Sequence, residues 1–281
     1  MMEKLLIIDG HNLLFQMFFG MPARITNKDG KAIQGTLGFV GTLIKIIKIT
    51  KPTHVVVLFD AEQENSRTKL DAQYKANRVD YSAVTEEHNP FSQLADIRAA
   101  LDYLTIQHKE VVDFEADDVI SSYVCAYSSQ MNIVISSFDS DFFQLINENT
   151  SILRYRGTKT ILCNHQYVLD RYGILPEQYP DFKSLTGDTA DNIRGADRIG
   201  PKTAAQLIGQ FGTLTQIIEN AELIVKPSIR NSIIESGKRL ALNYELIKLD
   251  AHAPLPFDIE QCKYAYCGIT TTEVLRGIGL R

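Results

Sequence analysis

The chain has 281 residues, a formal net charge of −5, and 44% hydrophobic against 22% charged residues. That balance excludes a disordered or collagen-like chain, and the length supports a sizeable core without disulfide staples. The apolar runs are far short of the ~20 residues of a membrane span, Asp9 interrupts any secretory leader, and four cysteines (Cys125, Cys163, Cys262, Cys267) without a second Cys/His pair supply neither a disulfide scaffold nor a zinc set. These features place the chain in the cytoplasm, with reduced thiols and no membrane partner.

Leu5–Ile8, ending in Asp9-Gly10, reads as a fully buried strand followed by a turn. Residues 36–50 carry Leu37, Val40, Leu43, Ile44 and Ile47 at helical spacing and stop before Pro52. Residues 53–60 form a second continuous apolar strand, ending in Asp60. Residues 62–88 are polar and mixed in charge: Glu62, Glu64, Asp71 and Asp80 balance Arg67, Lys69, Lys75 and Arg78. Two amphipathic helices are expected over 90–104 and 115–129, the second opening with Glu115-Ala116-Asp117-Asp118. A third buried strand starts at Asn132 and leads to Asp139-Ser140-Asp141 and a helix through Phe142, Phe143, Leu145 and Ile146. Residues 151–155 and 158–163 read as a hairpin turning near Gly157. Beyond about residue 176, Gly and Pro break the chain into short helices.

Strands alternating with helices predict an α/β fold with a mostly parallel central sheet, over residues 1–175, followed by a helical subdomain over 176–281. Three of the strands end in aspartate: Asp9, Asp60 and Asp139. The carboxyl ends of parallel strands share one edge, where ligands bind, so these distant acids are brought together. Glu115 and Asp118 share a face of the first helical turn, Asp117 lies between them, and Asp141 follows Asp139 by two residues. Asp188 and Asp191 stand at i,i+3 at the start of the helical region. Taken singly, each is an ordinary turn residue or helix cap. Nine carboxylates at one edge repel one another unless cations neutralise them, and all-oxygen donor sets suit magnesium or manganese. With those nine charges set aside the rest of the chain is mildly basic, which fits an anionic substrate. Two such ions about 4 Å apart suit phosphodiester hydrolysis.

The stretches Ile8-Asp9-Gly10, Leu58-Phe59-Asp60, Tyr74-Lys75-Ala76-Asn77-Arg78, Glu115-Ala116-Asp117-Asp118, Asp139-Ser140-Asp141, Thr186-Gly187-Asp188-Thr189-Ala190-Asp191-Asn192 and Ile199-Gly200-Pro201-Lys202-Thr203-Ala204 occur in this order along nearly the whole chain. Together they resemble the 5′-nuclease family: flap endonucleases and the 5′→3′ exonuclease domain of bacterial DNA polymerase I. With no polymerase domain following, the chain resembles a stand-alone bacterial form. The resemblance implies a PIN-like 5′-nuclease core and two divalent ions, magnesium or manganese. One would be held by Asp60, Glu115, Asp117, Asp118 and Asp139, with Asp9 beside them, and the other by Asp141, Asp188 and Asp191. Some stand-alone relatives lack part of the second group and lose ordinary nuclease behaviour; Asp188 and Asp191 are both present here. Residues 62–88 would form the arch that admits a single-stranded 5′ end, with Lys75 and Arg78, together with Asp9, in catalytic roles and Arg67, Lys69 and Tyr74 on DNA. A helix–three-turn–helix near 193–212 would grip the duplex backbone through Arg198, Gly200, Lys202 and Thr203, often with a potassium ion. One departure is Phe15-Gln16, where many relatives carry Tyr-Arg; a weaker phosphate or base contact is expected there.

From the residues alone, Lys75 and Arg78 lie one helical turn apart and are able to face one phosphate, and the glycine-led start at Gly200 offers backbone N–H groups to a phosphate beside Lys202. Phe15, Phe18 and Phe19 read as core, and the histidines show no ligand-like spacing. The expected activity is a monomeric, structure-specific 5′-nuclease acting on DNA flaps, nicks and junctions in replication and repair, at the bacterial nucleoid. Its rivals are a DNA-binding module with impaired catalysis and a PIN-type ribonuclease, which is usually shorter and lacks the helical half. A haloacid-dehalogenase-like phosphatase needs Asp-x-Asp after the first strand, which Asp9-Gly10-His11 does not supply.

Overall fold

β1 (Lys4–Asp9) lies inside a six-stranded sheet, flanked by β2 (His54–Asp60) and then β3 (Gln107–Val111) on one side. On the other side follow β4 (Asn132–Ser136), β5 (Thr150–Arg154) and β6 (Ile161–Cys163). Every pairing is parallel except β5 with β6. The computed structural model describes residues 3–21, 23–60, 66–112 and 114–281. Glu62 and Glu64, the first acids of the expected arch, lie outside the described residues.

The strand order reverses direction at β1, so the crevice between β1 and β4 is the topological switch point where such sheets bind ligands. β1 is apolar along its length because both its faces are covered. Leu5 and Ile7 pack with α5 (Ala116–Tyr127) and the helical half. Leu6 and Ile8 pack on the opposite face, with α1 (Gly10–Gly20), α2 (Gln34–Thr50) and α4 (Leu94–Tyr103). Gly10 is required at the end of β1: a Cβ there would stand 2.4 Å from the Phe59 ring and 2.8 Å from the Leu58 carbonyl oxygen.

The expected strands form where the apolar runs place them, and α2, α4 and α5 occupy the predicted helical stretches. Three features differ. Gly10–Gly20 is a helix, unsignalled in a nearly continuous apolar stretch bounded by glycines. β3 reads Gln-His-Lys-Glu-Val, polar because it is an edge strand. The helix expected through Ile146 is a 3₁₀ helix, Asp141–Leu145.

The segment expected to form an arch holds a short α3 (Ser66–Leu70), a run of turns over 72–77, and 3₁₀ turns at Tyr81–Ala83 and Glu86–His88. After α6 (His165–Tyr172), the helical half comprises α7 (Tyr179–Thr186), a two-residue hairpin β7 (Gly187–Asp188) and β8 (Ile193–Arg194), α8 (Pro201–Phe211), α9 (Leu214–Glu219) and α10 (Pro227–Ile247). Gly187 (φ 82°) and Gly195 pass so closely that a Cβ on either would meet the other's backbone at 2.5–2.6 Å. The chain then returns to the α/β half. Tyr264 N–H donates to the Thr53 carbonyl at 2.9 Å, and α11 (Thr271–Gly277) buries Val274 and Leu275 against the α2 side. Sequence reading assigned the whole of 176–281 to the helical part; the last nineteen or so residues pack instead on the first half, because their apolar side chains fit the face of α2 and α4.

Candidate active site

The carboxyl edge gathers acids from five places. Asp9 ends β1 and is both helix cap and buried acid: one oxygen accepts from Asn12 N–H (3.1 Å) and the other from the Ser137 hydroxyl (2.8 Å), across the β1–β4 crevice. Asp60 ends β2 and accepts the N–H of Ala116 at 2.7 Å, capping α5 from another element, since Glu115 makes no side-chain cap of its own. His11, one of the histidines without ligand-like spacing, packs against Phe59 and Phe91 with Nδ1 3.9 Å from Asp60. The loop after β4 is wound by Ser137 and Asp139: Asp139 N–H donates to Ser137 Oγ (2.9 Å), and Asp139 Oδ1 accepts from Asp141 N–H (2.8 Å). The β7–β8 turn brings in Asp188 and Asp191. Asp141, Asp188 and Asp191 each offer an oxygen, all within 4.8 Å of one another, the one such acidic group found among the described residues.

Half of these acids are neutralised by the chain's own cations. Arg67 is buried and bidentate on Asp118 (2.7 and 2.8 Å), and it also donates to Glu115 (2.8 Å) and to the Lys248 carbonyl (3.0 Å). Asp118 additionally accepts from Asp250 N–H. Arg67 therefore faces inward as a structural anchor and not toward a DNA surface, and Asp118 has its oxygens committed to that anchor. Tyr74, also expected on DNA, is buried with its hydroxyl 3.4 Å from Glu115. Lys75 donates to Glu115 at 3.0 Å, and Arg78 to Asp191 at 2.9 Å.

Lys75 and Arg78 do reach the site together, though not as one turn of helix. Lys75 has left-handed backbone (φ 57°), its N–H bonds the Asp191 carbonyl (3.0 Å), and Arg78 N–H bonds the Lys75 carbonyl (3.0 Å). Asn77 and Asn192 tie the same segment to the β7–β8 turn through Thr189 and Gln73.

Lys183 escaped the sequence reading. It lies on α7, five residues before Asp188, and its buried ammonium bridges Asp141 and Asp188. Burial works against that charge, but the two carboxylates outweigh it and raise its pKa. Asp188 is correspondingly held below the usual carboxylate range: burial raises it, and Lys183 with the Ala190 N–H more than offsets this.

Burial and mutual repulsion shift other acids the opposite way. Asp9 is pushed up to about 7 by burial, with Asp60 and Asp139 adding repulsion. Half-buried Asp117 is raised well above its ordinary value by removal from water and by Asp139, Asp60 and Asp9. Asp141 rises to about 7 for the same reason, with Asp139 as the main repelling charge, despite Lys183. Dense oxygen donors whose mutual repulsion holds protons on are a donor set suited to a hard divalent cation.

Of the other expected DNA contacts, Lys69, Arg198, Gly200 and Lys202 are exposed and Thr203 half-buried. Gly200 caps α8, Pro201 is its first residue and Arg198 is left-handed (φ 64°). Among the aromatic residues read as core, Phe18 is buried. Phe15 packs on Tyr81 and Phe91, and Phe19 is 58% exposed. Gln16 donates to the Tyr155 carbonyl at 2.8 Å.

A doubly covered parallel sheet with this acidic edge and an attached helical half places the chain in the fold class of the 5′-3′ exonucleases. Residues 4–173 match the 5′-3′ exonuclease N-terminal resolvase-like domain and residues 174–268 the 5′-3′ exonuclease C-terminal SAM fold, so the chain belongs to the 5′-3′ exonuclease family. It is 34% identical over 259 residues to the thermostable DNA polymerase I of Thermus filiformis, covering 92% of this chain and 30% of that one. The chain thus spans about a third of the length of such polymerases. Among solved structures it is similar to T5 5′-exonuclease with bound divalent zinc (TM-score 0.72, 25% identity, 87% of this chain and 89% of that one). It is also similar to a bacteriophage T5 flap endonuclease in a pseudo-enzyme–product complex with DNA and metal ions (TM-score 0.70, 25% identity, the same coverage).

Proposed function

We propose that this protein hydrolyses DNA phosphodiester bonds at 5′ flaps, nicks and single-strand/duplex junctions, using two magnesium ions, with manganese as a substitute. The observation that carries the reading is the convergence on one sheet edge of Asp9, Asp60, Asp117 and Asp139 with the Asp141–Asp188–Asp191 group. Asp141, Asp188 and Asp191 would hold one ion, and Asp60, Asp117 and Asp139, with Glu115 beside them, the other. When bound, such ions supply an activated water and charge stabilisation of the leaving oxygen. Asp118, locked to Arg67, keeps the first turn of α5 in place and so aims Asp117. Asp9 holds the β1–β4 crevice through Ser137. Lys75 and Arg78 stand beside the two acidic groups and would turn to a phosphate whose negative charge grows in the transition state.

The exposed start of α8, with Lys202 and Arg198, suits backbone phosphates of a duplex and reads no base sequence. A potassium ion in that turn, a monomeric state and a place at the bacterial nucleoid belong to the same reading. Among the described residues no helix is long and apolar enough to cross a membrane. The test is incubation of labelled 5′-flap, nicked and blunt DNA with magnesium, followed by sizing of the products. Release of 5′ fragments at the junction, abolished by EDTA, is the expected result. Intact DNA in all three cases would overturn the proposal.

A further inference from the structure

Residues 71–78 form neither helix nor strand; they are a succession of turns. Tyr74 N–H donates to the Asp71 carbonyl (3.0 Å), Ala76 N–H to Gln73 (3.1 Å) and Arg78 N–H to Lys75 (3.0 Å). This irregular stretch carries Lys75 and Arg78, whose long side chains lose much rotamer freedom wherever they are fixed. Their ion pairs, Lys75 with Glu115 and Arg78 with Asp191, hold them only while those acids take no other cation.

Uncharged hydrogen bonds fix the same stretch on the β7–β8 turn. The Gln73 carbonyl, which closes the turn to Ala76, also accepts Asn192 Nδ2 at 2.8 Å. The Thr189 carbonyl, which takes Asn192 N–H at 3.4 Å, also accepts Asn77 Nδ2 at 2.9 Å. Each asparagine thus caps a turn of the other segment, and between them Lys75 N–H meets the Asp191 carbonyl at 3.0 Å. Tyr74 is buried with Ile193, Leu246 and Ile247. Lys75 and Asn192 both have left-handed backbone (φ 57° and 59°). Asparagine tolerates that conformation, whereas lysine holds it where its surroundings impose it. Amide-to-carbonyl bonds do not depend on the charge of the acids, and salt screens them far less than it screens exposed ion pairs.

We propose that Asn77 and Asn192 are positioning residues. Their reciprocal bonds clasp residues 73–78 onto the turn that carries Asp188 and Asp191, so that Lys75 and Arg78 stay at the acidic centre when its carboxylates change partners. This rests on the DNA-cleaving reading above and deepens it. Because the bonds join parts of the chain itself, the two cations meet the scissile phosphate already in place. Such preorganisation raises kcat more than affinity.

The test uses Asn77→Ala with Asn192→Gly, which removes both side-chain amides and leaves position 192 free to keep its left-handed backbone. Amide hydrogen exchange is measured first, in EDTA without DNA. The amides of residues 74–78 should exchange about tenfold faster, at low and high salt alike, with those of β1 and β4 unchanged. Single-turnover cleavage of a 5′ flap with magnesium should then fall about tenfold, with Kd in EDTA within about twofold of wild type. Added to Lys75→Ala with Arg78→Ala, the same pair should cost little more, since a positioning residue acts through the groups it places. Asn77→Ala alone should show the same effects in smaller measure. Unchanged exchange at residues 74–78, unchanged kcat, or a tenfold loss that persists without Lys75 and Arg78 would overturn the positioning role and leave the nuclease reading intact. A wild-type protein that cuts neither flap nor nicked DNA would remove the nuclease reading, and this role with it, whatever the exchange result.

Discussion

Asp117 and Asp118 are adjacent in the first turn of α5, yet they sit in opposite electrostatic settings. Asp118 faces a buried arginine that meets both its oxygens. Asp117 faces Asp9, Asp60 and Asp139, and its pKa is driven up. The same division runs along the whole carboxyl edge. Arg67, Lys75, Arg78 and Lys183 pair with Glu115, Asp118, Asp191, Asp141 and Asp188, while Asp9, Asp60, Asp117 and Asp139 make no ion pair with a Lys or Arg among the described residues. Glu115 and Asp118, paired with buried Arg67, hold the architecture in place without any ligand, whereas Asp141, Asp188 and Asp191 meet cations of the chain at the place proposed for a metal ion. The unpaired acids store repulsion that a divalent cation relieves. One step along the helix thus separates an acid neutralised from within from one that is not.

The comparison breaks most visibly at the metal-suited acids. Asp141→Asn with Asp188→Asn should lower single-turnover cleavage by about a thousandfold or more, because several kcal/mol of charge stabilisation is lost. DNA affinity in EDTA should change little. Magnesium-dependent turnover near wild type in this variant would refute the ligand assignment.

On the scaffold side, Arg67→Met strips buried Asp118 of its bidentate cation and leaves Glu115 to Lys75, and should cost about 3–5 kcal/mol in a urea titration. Adding Glu115→Gln and Asp118→Asn should recover much of that loss. A mild effect of Arg67→Met alone would mean that the buried pair is not an anchor. Lys75→Ala and Arg78→Ala test the cations that border both settings. Each should lower single-turnover kcat by about a hundredfold, roughly 3 kcal/mol, with a much smaller change in Kd. Equal effects on both quantities would assign them to ground-state binding.

The unpaired half also has a pH signature. Asp9 keeps its proton up to about pH 7 in the folded protein but releases it near 3.8 when unfolded. The folded state thus binds more protons between those values, and this contribution to stability declines as pH rises from about 4 to 7. Without metal, the melting temperature should fall between pH 5 and 8. Magnesium, which binds deprotonated carboxylates, should stabilise most at the alkaline end. A metal-free protein that gains stability over that range would contradict the repulsion argument. The smallest expected effect is that of Lys202→Ala: weaker binding to all duplex-containing DNAs alike, with a salt slope lower by about one. Altered cleavage at saturating DNA with unchanged affinity would contradict a duplex-gripping role.

Most of the architecture was legible beforehand, for a physical reason. Strands covered on both faces must be apolar throughout, so the stretches around Ile7, Val57 and Ile135 announce themselves, and parallel pairing forces their terminal aspartates to one edge. Gly10, Asp9 and the Asp188–Asp191 spacing are local requirements of turns and caps, which a linear reading detects. Segments whose residues follow no periodic pattern were less visible, such as the polar edge strand β3 and the glycine-bounded helix α1. The partners of the acids were not legible at all. Arg67 meets Asp118 across 51 positions and Arg78 meets Asp191 across 113. Nothing in the spacing distinguishes Arg67, turned inward, from Lys69, exposed to solvent two residues on. Lys183 reads as one more helical lysine until α7 packs beside the loop that carries Asp141. Charge pairing depends on distances of a few ångströms between segments remote in the chain, and only the folded backbone sets those distances. The linear order of the chain brought the acids to one edge, and tertiary packing decided which of them would be neutralised from within.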